Sequence, residues 1–318
     1  MGGGSWNNDF YEERAKTRAA NNVKVFQHDE DVRTGKVATA LHELLDPSKL
    51  RNGVREARDS AEHPHSRPVL VELDVTGSMR TTPVTVQKSL PKLMTTILTS
   101  GALADPQICF VAIGDSQTDR VPLQVGQFES GLQMEDDISR FYLEGNGGGS
   151  GEEGYEMGLM FATRYTATDA WEKRKEKGYL FIVGDERAYD EATPHAIHKI
   201  FGGEMPSKGV PLSTLITEAK ERYHTYFIIP GGTDGSAGET VFNYWTERLG
   251  AGHVLRLADV SQICNLIALT IGIVEGTAKP DALTSLTPAI KAAIDPVLAG
   301  TKTKVADAKK SGSKTARL

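Results

Sequence analysis

The chain has 318 residues, of which 39% are hydrophobic and 25% charged, and its formal net charge is -6; this is the composition of a globular protein long enough for one large α/β domain. No apolar run reaches the roughly 18–20 residues that span a bilayer, and the longest candidate, Ile263 to Val274, is broken by Cys264, Asn265, Thr270 and Gly272, so no membrane insertion is expected. The acidic balance argues against non-specific nucleic-acid binding, and two cysteines, Cys109 and Cys264, cannot make a disulfide framework or a cysteine-based zinc site.

In chain order, the start MGGGSWNNDF lacks a basic segment followed by an apolar one, so no signal peptide is expected. Trp6 stands where a myristoylation signal carries Ser or Thr. A cytoplasmic protein is the expectation. Residues 1–68 read as an N-terminal arm with a short helix over Tyr11–Asn22 and a second over Lys36–Leu45, where Val37, Leu41, Leu44 and Leu45 fall on one face. Asp46-Pro47-Ser48 stops the second. The body, 69–276, opens with a strand over Val69–Asp74. Thr82–Ser100 is helical, with Pro83 suited to a first turn and Pro91 predicting a kink or break. Strands follow over Ile108–Gly114 and, more weakly and at an edge, Val121–Phe128. Gln133–Leu143, Glu153–Tyr165 and Asp169–Lys177 read as helices. Tyr179–Val183 and Tyr223–Ile229 are strands, Glu239–Leu249 a helix, His253–Leu257 a strand and Val260–Val274 a last helix. The tail, 277–318, carries eight Lys and Arg against three Asp, a surplus of five that leaves -11 on residues 1–276. Leu286–Leu298 can form one helix, and the last stretch, TKTKVADAKKSGSKTARL, is expected to be disordered.

Continuous apolar strands alternating with helices predict a doubly wound α/β fold with a mostly parallel sheet covered on both faces. Such folds place their sites beyond the carboxyl ends of the strands, near the point where strand order reverses. The first strand ends in Asp74-Val75-Thr76-Gly77-Ser78-Met79. One carboxylate followed by hydroxyls at +2 and +4, around a glycine turn, makes an all-oxygen set suited to Mg²⁺ or Mn²⁺ rather than zinc. The bland alternative for the same residues is a helix cap.

The Asp-x-Thr-x-Ser-Met segment after a first apolar strand resembles the metal-ion-dependent adhesion site (MIDAS) of von Willebrand factor type A (vWA) domains. That family carries D-x-[ST]-x-S near its start, a Thr from a mid-domain loop, and an Asp after the fourth strand. Asp74, Thr76 and Ser78 match the opening, and Asp185, directly after YLFIVG, matches the late acid. The loop expected to supply the Thr, EGNGGGSGEEG at 144–154, contains none. Ser150 is the substitute, with Asn146 and Glu152 as rivals. The resemblance covers about residues 69–276 and implies a divalent ion, Mg²⁺ or Mn²⁺, with open positions that a partner's acidic side chain fills. It implies a recognition module and not a catalyst, with no catalytic residues; bacterial relatives act beside MoxR-type AAA+ ATPases or as scaffolds of multiprotein complexes.

Other readings are weaker. The six glycines from Gly145 to Gly154 are not followed by Gly-Lys-[Ser/Thr], so they are not a phosphate loop. His195 and His198 share a helical face without a third ligand motif and are expected to be exposed. His63 and His65 are expected to pack at the domain edge, and Phe242, Tyr244 and Trp245 to pack a helix. No G-x-S-x-G motif is present. The basic tail is a solvated extension or a docking segment for an acidic partner. The alternative function is a metal-dependent hydrolase of phosphoesters using the same acids, against which stands the lack of a general base, a phosphate clamp or a second metal cluster. A third is a subunit whose site has lost its ion.

Overall fold

A computed structural model describes residues 4–79, 81–145, 151–231, 236–278 and 286–300. Six strands form one sheet: β1 (Ser66–Asp74), β2 (Asp105–Ile113), β3 (Leu123–Val125), β4 (Gly178–Val183), β5 (Tyr223–Pro230) and β6 (Val254–Leu257). Their spatial order is β6-β5-β4-β1-β2-β3. Five strands run parallel and β3 returns antiparallel at the edge. The expected edge strand is therefore present but short. Order reverses between β1 and β4, so their carboxyl ends frame the crevice where doubly wound folds bind ligands.

Described helices are α1 (Asn8–Ala20), α2 (Gln27–Arg33), α3 (Thr82–Lys88), α4 (Leu90–Ser100), α5 (Gln133–Ser139), α6 (Tyr155–Arg164), α7 (Asp169–Arg174), α8 (Pro194–Phe201), α9 (Leu212–Arg222), α10 (Ser236–Leu249), α11 (Ile263–Val274) and α12, residues 288–300. Alternation along each strand divides the core into two layers. Val69, Val71 and Leu73 of β1 meet α4, α11 and α12 through Leu93, Ile97, Ile267, Ile271 and Ile294. Leu70, Val111 and Ile182 face the other way, toward Leu159 of α6, Leu215 of α9 and Trp245 of α10. Trp245 is fully buried and stacks on Phe227 at 4.3 Å, as its place in the sequence predicts. Truncating a buried aromatic of this kind costs about 3–5 kcal/mol.

The predicted break at Pro91 is real. α3 ends at Lys88, α4 begins at Leu90, and Pro83 and Pro91 each lie in the first turn of their helix, where a missing N–H costs nothing. The predicted helix over Lys36–Leu45 is not formed. Gly35 takes φ 75°, the left-handed region that ends helices, and α2 lies before it instead. Only a 3₁₀ turn at Glu43–Leu45 remains, and it buries Leu45 while Leu44 is 54% exposed. The apolar stripe is split, with Val37 and Leu41 only partly buried. Helix α8 carries the helical face expected at His195 and His198, and α9 occupies a stretch without an assigned element in the sequence. α8 is capped by Thr193, whose side chain accepts from Ala196 N, and His195 and His198 on it are exposed.

The arm packs on the body. Tyr11 of α1 is buried, its hydroxyl donates to Gln87 O at 3.1 Å, and Arg18 reaches Glu135 at 2.6 Å. Residues 55–57 pair in parallel with 166–168. His63 Nε2 lies 2.8 Å from Gly4 O and His65 Nε2 3.0 Å from Glu176, so both sit in edge contacts. Among the described residues no helix is long and apolar enough to cross a membrane. The expected disordered stretch, 301–318, lies outside the described residues.

Candidate metal centre

Strand β1 delivers Asp74 to the reversal point, and Asp185 follows β4 two residues after its end. Asp74 is completely buried, Thr76 nearly so, Ser78 exposed and Asp185 partly buried. The centre therefore runs from the interior to the surface. Asp74 Oδ1 accepts from Thr76 N at 2.8 Å and from Thr76 Oγ1 at 2.6 Å. This Asx-type turn folds the chain back over the strand end, and Met79 N closes it on Thr76 O at 3.2 Å. Thr76 Oγ1 lies 3.3 Å from Ser78 Oγ, and Ser78 Oγ donates to Asp185 Oδ1 at 2.9 Å. Four of the five site residues expected from the sequence thus form one continuous chain of oxygens across the two strand ends. Ser150, like Asn146, lies outside the described residues.

Tyr155 is the residue the sequence reading misses. It begins α6, is fully buried, and its hydroxyl donates to Asp74 Oδ2 at 2.6 Å. Both carboxylate oxygens of Asp74 are therefore held. Tyr155 also meets Phe227 and Trp245 edge-on, at 5.4 and 5.8 Å between ring centroids. Gly184, between β4 and Asp185, has no room for a side chain: a Cβ there would run into the Tyr155 hydroxyl. The glycine in IVGD is thus a packing requirement of the site. The signal for Tyr155 in the sequence is slight, an aromatic at the first helical position after a glycine-rich loop.

The electrostatics are dominated by buried acids. Burial raises Asp74 to about 7, against the lowering by its hydrogen bonds from Thr76 and Tyr155. Burial also raises Asp185, against the lowering by Ser78, and raises Glu186, helped by the charge of Asp185. Among the described residues no cation figures among the main influences on Asp74 or Asp185. Buried acids in this state fit a positive ion, and the donor set of two carboxylates and two hydroxyls is hard and all oxygen. Among the described residues no three His, Cys, Asp or Glu side chains cluster closely enough to hold an ion, so hydroxyl oxygens have to complete any shell.

The loop ahead of α6 is tied at both ends. Gly145 N donates to Val75 O at 3.4 Å. Residues 152–153 pair in parallel with 187–188, just beyond Asp185. A Cβ on Gly154 would strike Gly114 O, so the loop exit packs directly on the end of β2.

The fold and the centre define a class: a doubly wound α/β domain with an oxygen-lined crevice at its switch point. No family model matches the chain, and no curated protein matches it. Among solved structures it is similar to proximal thread matrix protein 1 from the mussel byssus, at 13% identity and TM-score 0.44 over 66% of this chain and 48% of that one. A form of that protein described with a zinc-occupied MIDAS motif matches at 14% identity and TM-score 0.43. The pilus adhesin SpaC of Lactobacillus rhamnosus GG matches at 11% identity and TM-score 0.42, over 64% of this chain and 30% of that one. The chain spans about half the length of the first of these structures and less than a third of the adhesin.

Proposed function

We propose that the chain is a vWA-type recognition module that holds Mg²⁺ or Mn²⁺ and through it binds an acidic group of a protein partner. Asp74, Thr76, Ser78 and Asp185 would hold the ion, with Ser150 as the loop hydroxyl. The observation that carries the reading is the 2.9 Å bond from Ser78 Oγ to Asp185 Oδ1, which joins the two halves of the motif across the switch point. When bound, the ion supplies a positive point to which a carboxylate can attach.

The chain's own residues do the rest. Thr76 and Tyr155 fix both oxygens of Asp74, so the acid is oriented before anything binds. Ser78 is the exposed member of the set and faces solvent, which leaves the outer side of the centre accessible to a partner. A cytoplasmic setting and a MoxR-type AAA+ ATPase or multiprotein complex as partner belong to the same proposal. The phosphoester hydrolase reading has no observation in its favour: the described neighbours of Asp74 and Asp185 are hydroxyls and further acids, without a cationic clamp.

The test is titration calorimetry of the full chain with MgCl₂ and MnCl₂. Wild type is expected to bind and Asp74→Ala to show no binding; equal affinities would sink the centre. Purified protein should give no turnover of p-nitrophenyl phosphate with either ion, and turnover that disappears in Asp74→Ala would put the hydrolase first. Partner capture should need Mg²⁺ or Mn²⁺ and vanish in EDTA; capture unaffected by EDTA would leave a passive scaffold.

A further inference from the structure

Glu153 lies in the short ladder that pairs 152–153 with 187–188, one step before Gly154 and two before Tyr155, the residue that holds Asp74. It is only 5% exposed, and its Oε2 has no hydrogen-bond partner among the described residues. The charges that act most on it are all negative: Asp74 first, then Asp115, Asp119 and Glu186. Two of these acids are engaged in their own turn. Asp115 accepts from Gln117 N, Thr118 Oγ1 and Tyr189 Oη, and Asp119 accepts from Asp115 N. Arg187, on the segment paired with Glu153, reaches Gly151 O at 3.4 Å and Glu152 at 4.0 Å. A buried carboxyl oxygen with no donor, set among acids, costs stability unless something positive completes it.

We infer that Glu153 is a third acid of the metal centre, holding the ion through one of its bound waters. The inference rests on the ion-binding reading of the centre. Contact through water fits two facts: among the described residues no three acids stand close enough to share an ion directly, and Mg²⁺ keeps several of its waters. Burial, with Asp74 next, raises Glu153 to about 9, so the acid is neutral at pH 7 until a positive ion beside it favours the charged form. Glu153 also places a carboxylate on the glycine-rich loop that was expected to supply only a hydroxyl. A third acid tightens the hold on the ion and weakens the ion's pull on an incoming carboxylate, so affinity for the ion alone is the quantity to measure.

The experiment compares full-length wild type, Glu153→Gln, Ser150→Ala and Asp74→Ala by calorimetric titration with MgCl₂ and MnCl₂, with thermal unfolding in EDTA alongside. Glu153→Gln should bind about 10–100-fold more weakly, the range for groups that act on a metal through its ligands, and should melt in EDTA no lower than wild type. An affinity within about twofold of wild type overturns the inference, and so does a lowered melting temperature in EDTA, which would make Glu153 a packing residue. If Ser150→Ala loses affinity while Glu153→Gln does not, the centre stands and only this assignment falls. If wild type binds neither ion, the reading beneath it falls too.

Discussion

Glu72 sits in the middle of β1, completely buried, and neither carboxyl oxygen has a hydrogen-bond partner among the described residues. Its neighbour across the layer is Gly158 of α6, where any Cβ would strike the carboxyl group. Burial raises Glu72 from 4.5 to about 8. Between those values the folded protein keeps a proton that the unfolded chain has released, so folding stability falls as pH rises. The slope is about 1.4 kcal/mol per pH unit, which puts the cost at pH 7 at roughly 3 kcal/mol relative to pH 4.5. Above pH 8 the cost levels off. Glu72→Gln abolishes the titration and keeps the shape, at a cost of about 1–3 kcal/mol for the buried amide. Urea unfolding in EDTA at pH 5.5, 6.5 and 7.5 reads the effect. Stability of Glu72→Gln relative to wild type should improve by about 1.4 kcal/mol with each unit of pH, starting at or below wild type at the acid end. A difference that does not change with pH would show that Glu72 is charged in the fold, and the argument from burial would fail.

Three further outcomes are expected. Asp185 would act on the ion through a bound water, so Asp185→Asn should weaken Mg²⁺ by about 10–100-fold, less than Asp74→Ala; equal losses in calorimetry would make Asp185 a direct ligand. Gly184→Ala forces a methyl group against the hydroxyl and the adjoining ring carbons of Tyr155 and should destabilise the fold by about 1–3 kcal/mol, with the loss shrinking in Gly184→Ala/Tyr155→Ala, where the ring is gone; additive urea midpoints would refute the clash. Tyr155→Phe alone leaves Asp74 Oδ2 without its donor and should cost about 1–3 kcal/mol in EDTA, and unchanged unfolding would show that the bond contributes nothing.

The fold was legible because its signals are local. Apolar runs such as Tyr179–Val183 and Ile108–Ile113 can only be buried on both faces, and Pro83 and Pro91 mark two helix starts by their missing N–H groups. Asp74, Thr76 and Ser78 were legible for the same reason, being three residues on one turn. That Asp185 would come to the same place followed from the resemblance to the vWA motif, and the structure brings it within 2.9 Å of Ser78. The contact of Tyr155 with Asp74 was not legible, because it arises where α6 packs against β1, between segments 81 residues apart. The helix misread at Lys36–Leu45 shows the converse: an amphipathic stripe was present, but the positive φ at Gly35 set the structure. Helix α9 had its stripe too, with Leu212, Leu215, Ile216 and Ala219 all buried.

The docking of α1 has a consequence for how the chain acquires its shape during synthesis. The buried hydroxyl of Tyr11 ends on Gln87 O, 76 residues downstream, and Arg18 waits for Glu135, further on still. A lone 13-residue helix is marginal in water, and α1 buries only Tyr11. As the chain leaves the ribosome, α1 therefore has nothing of this body to lean on until β1, α3, α4 and α5 have emerged and settled. Made before them, α1 is fixed only after them. Residues 8–20 should accordingly exchange their amide hydrogens sooner than those of β1 and β4, through openings that leave the sheet intact.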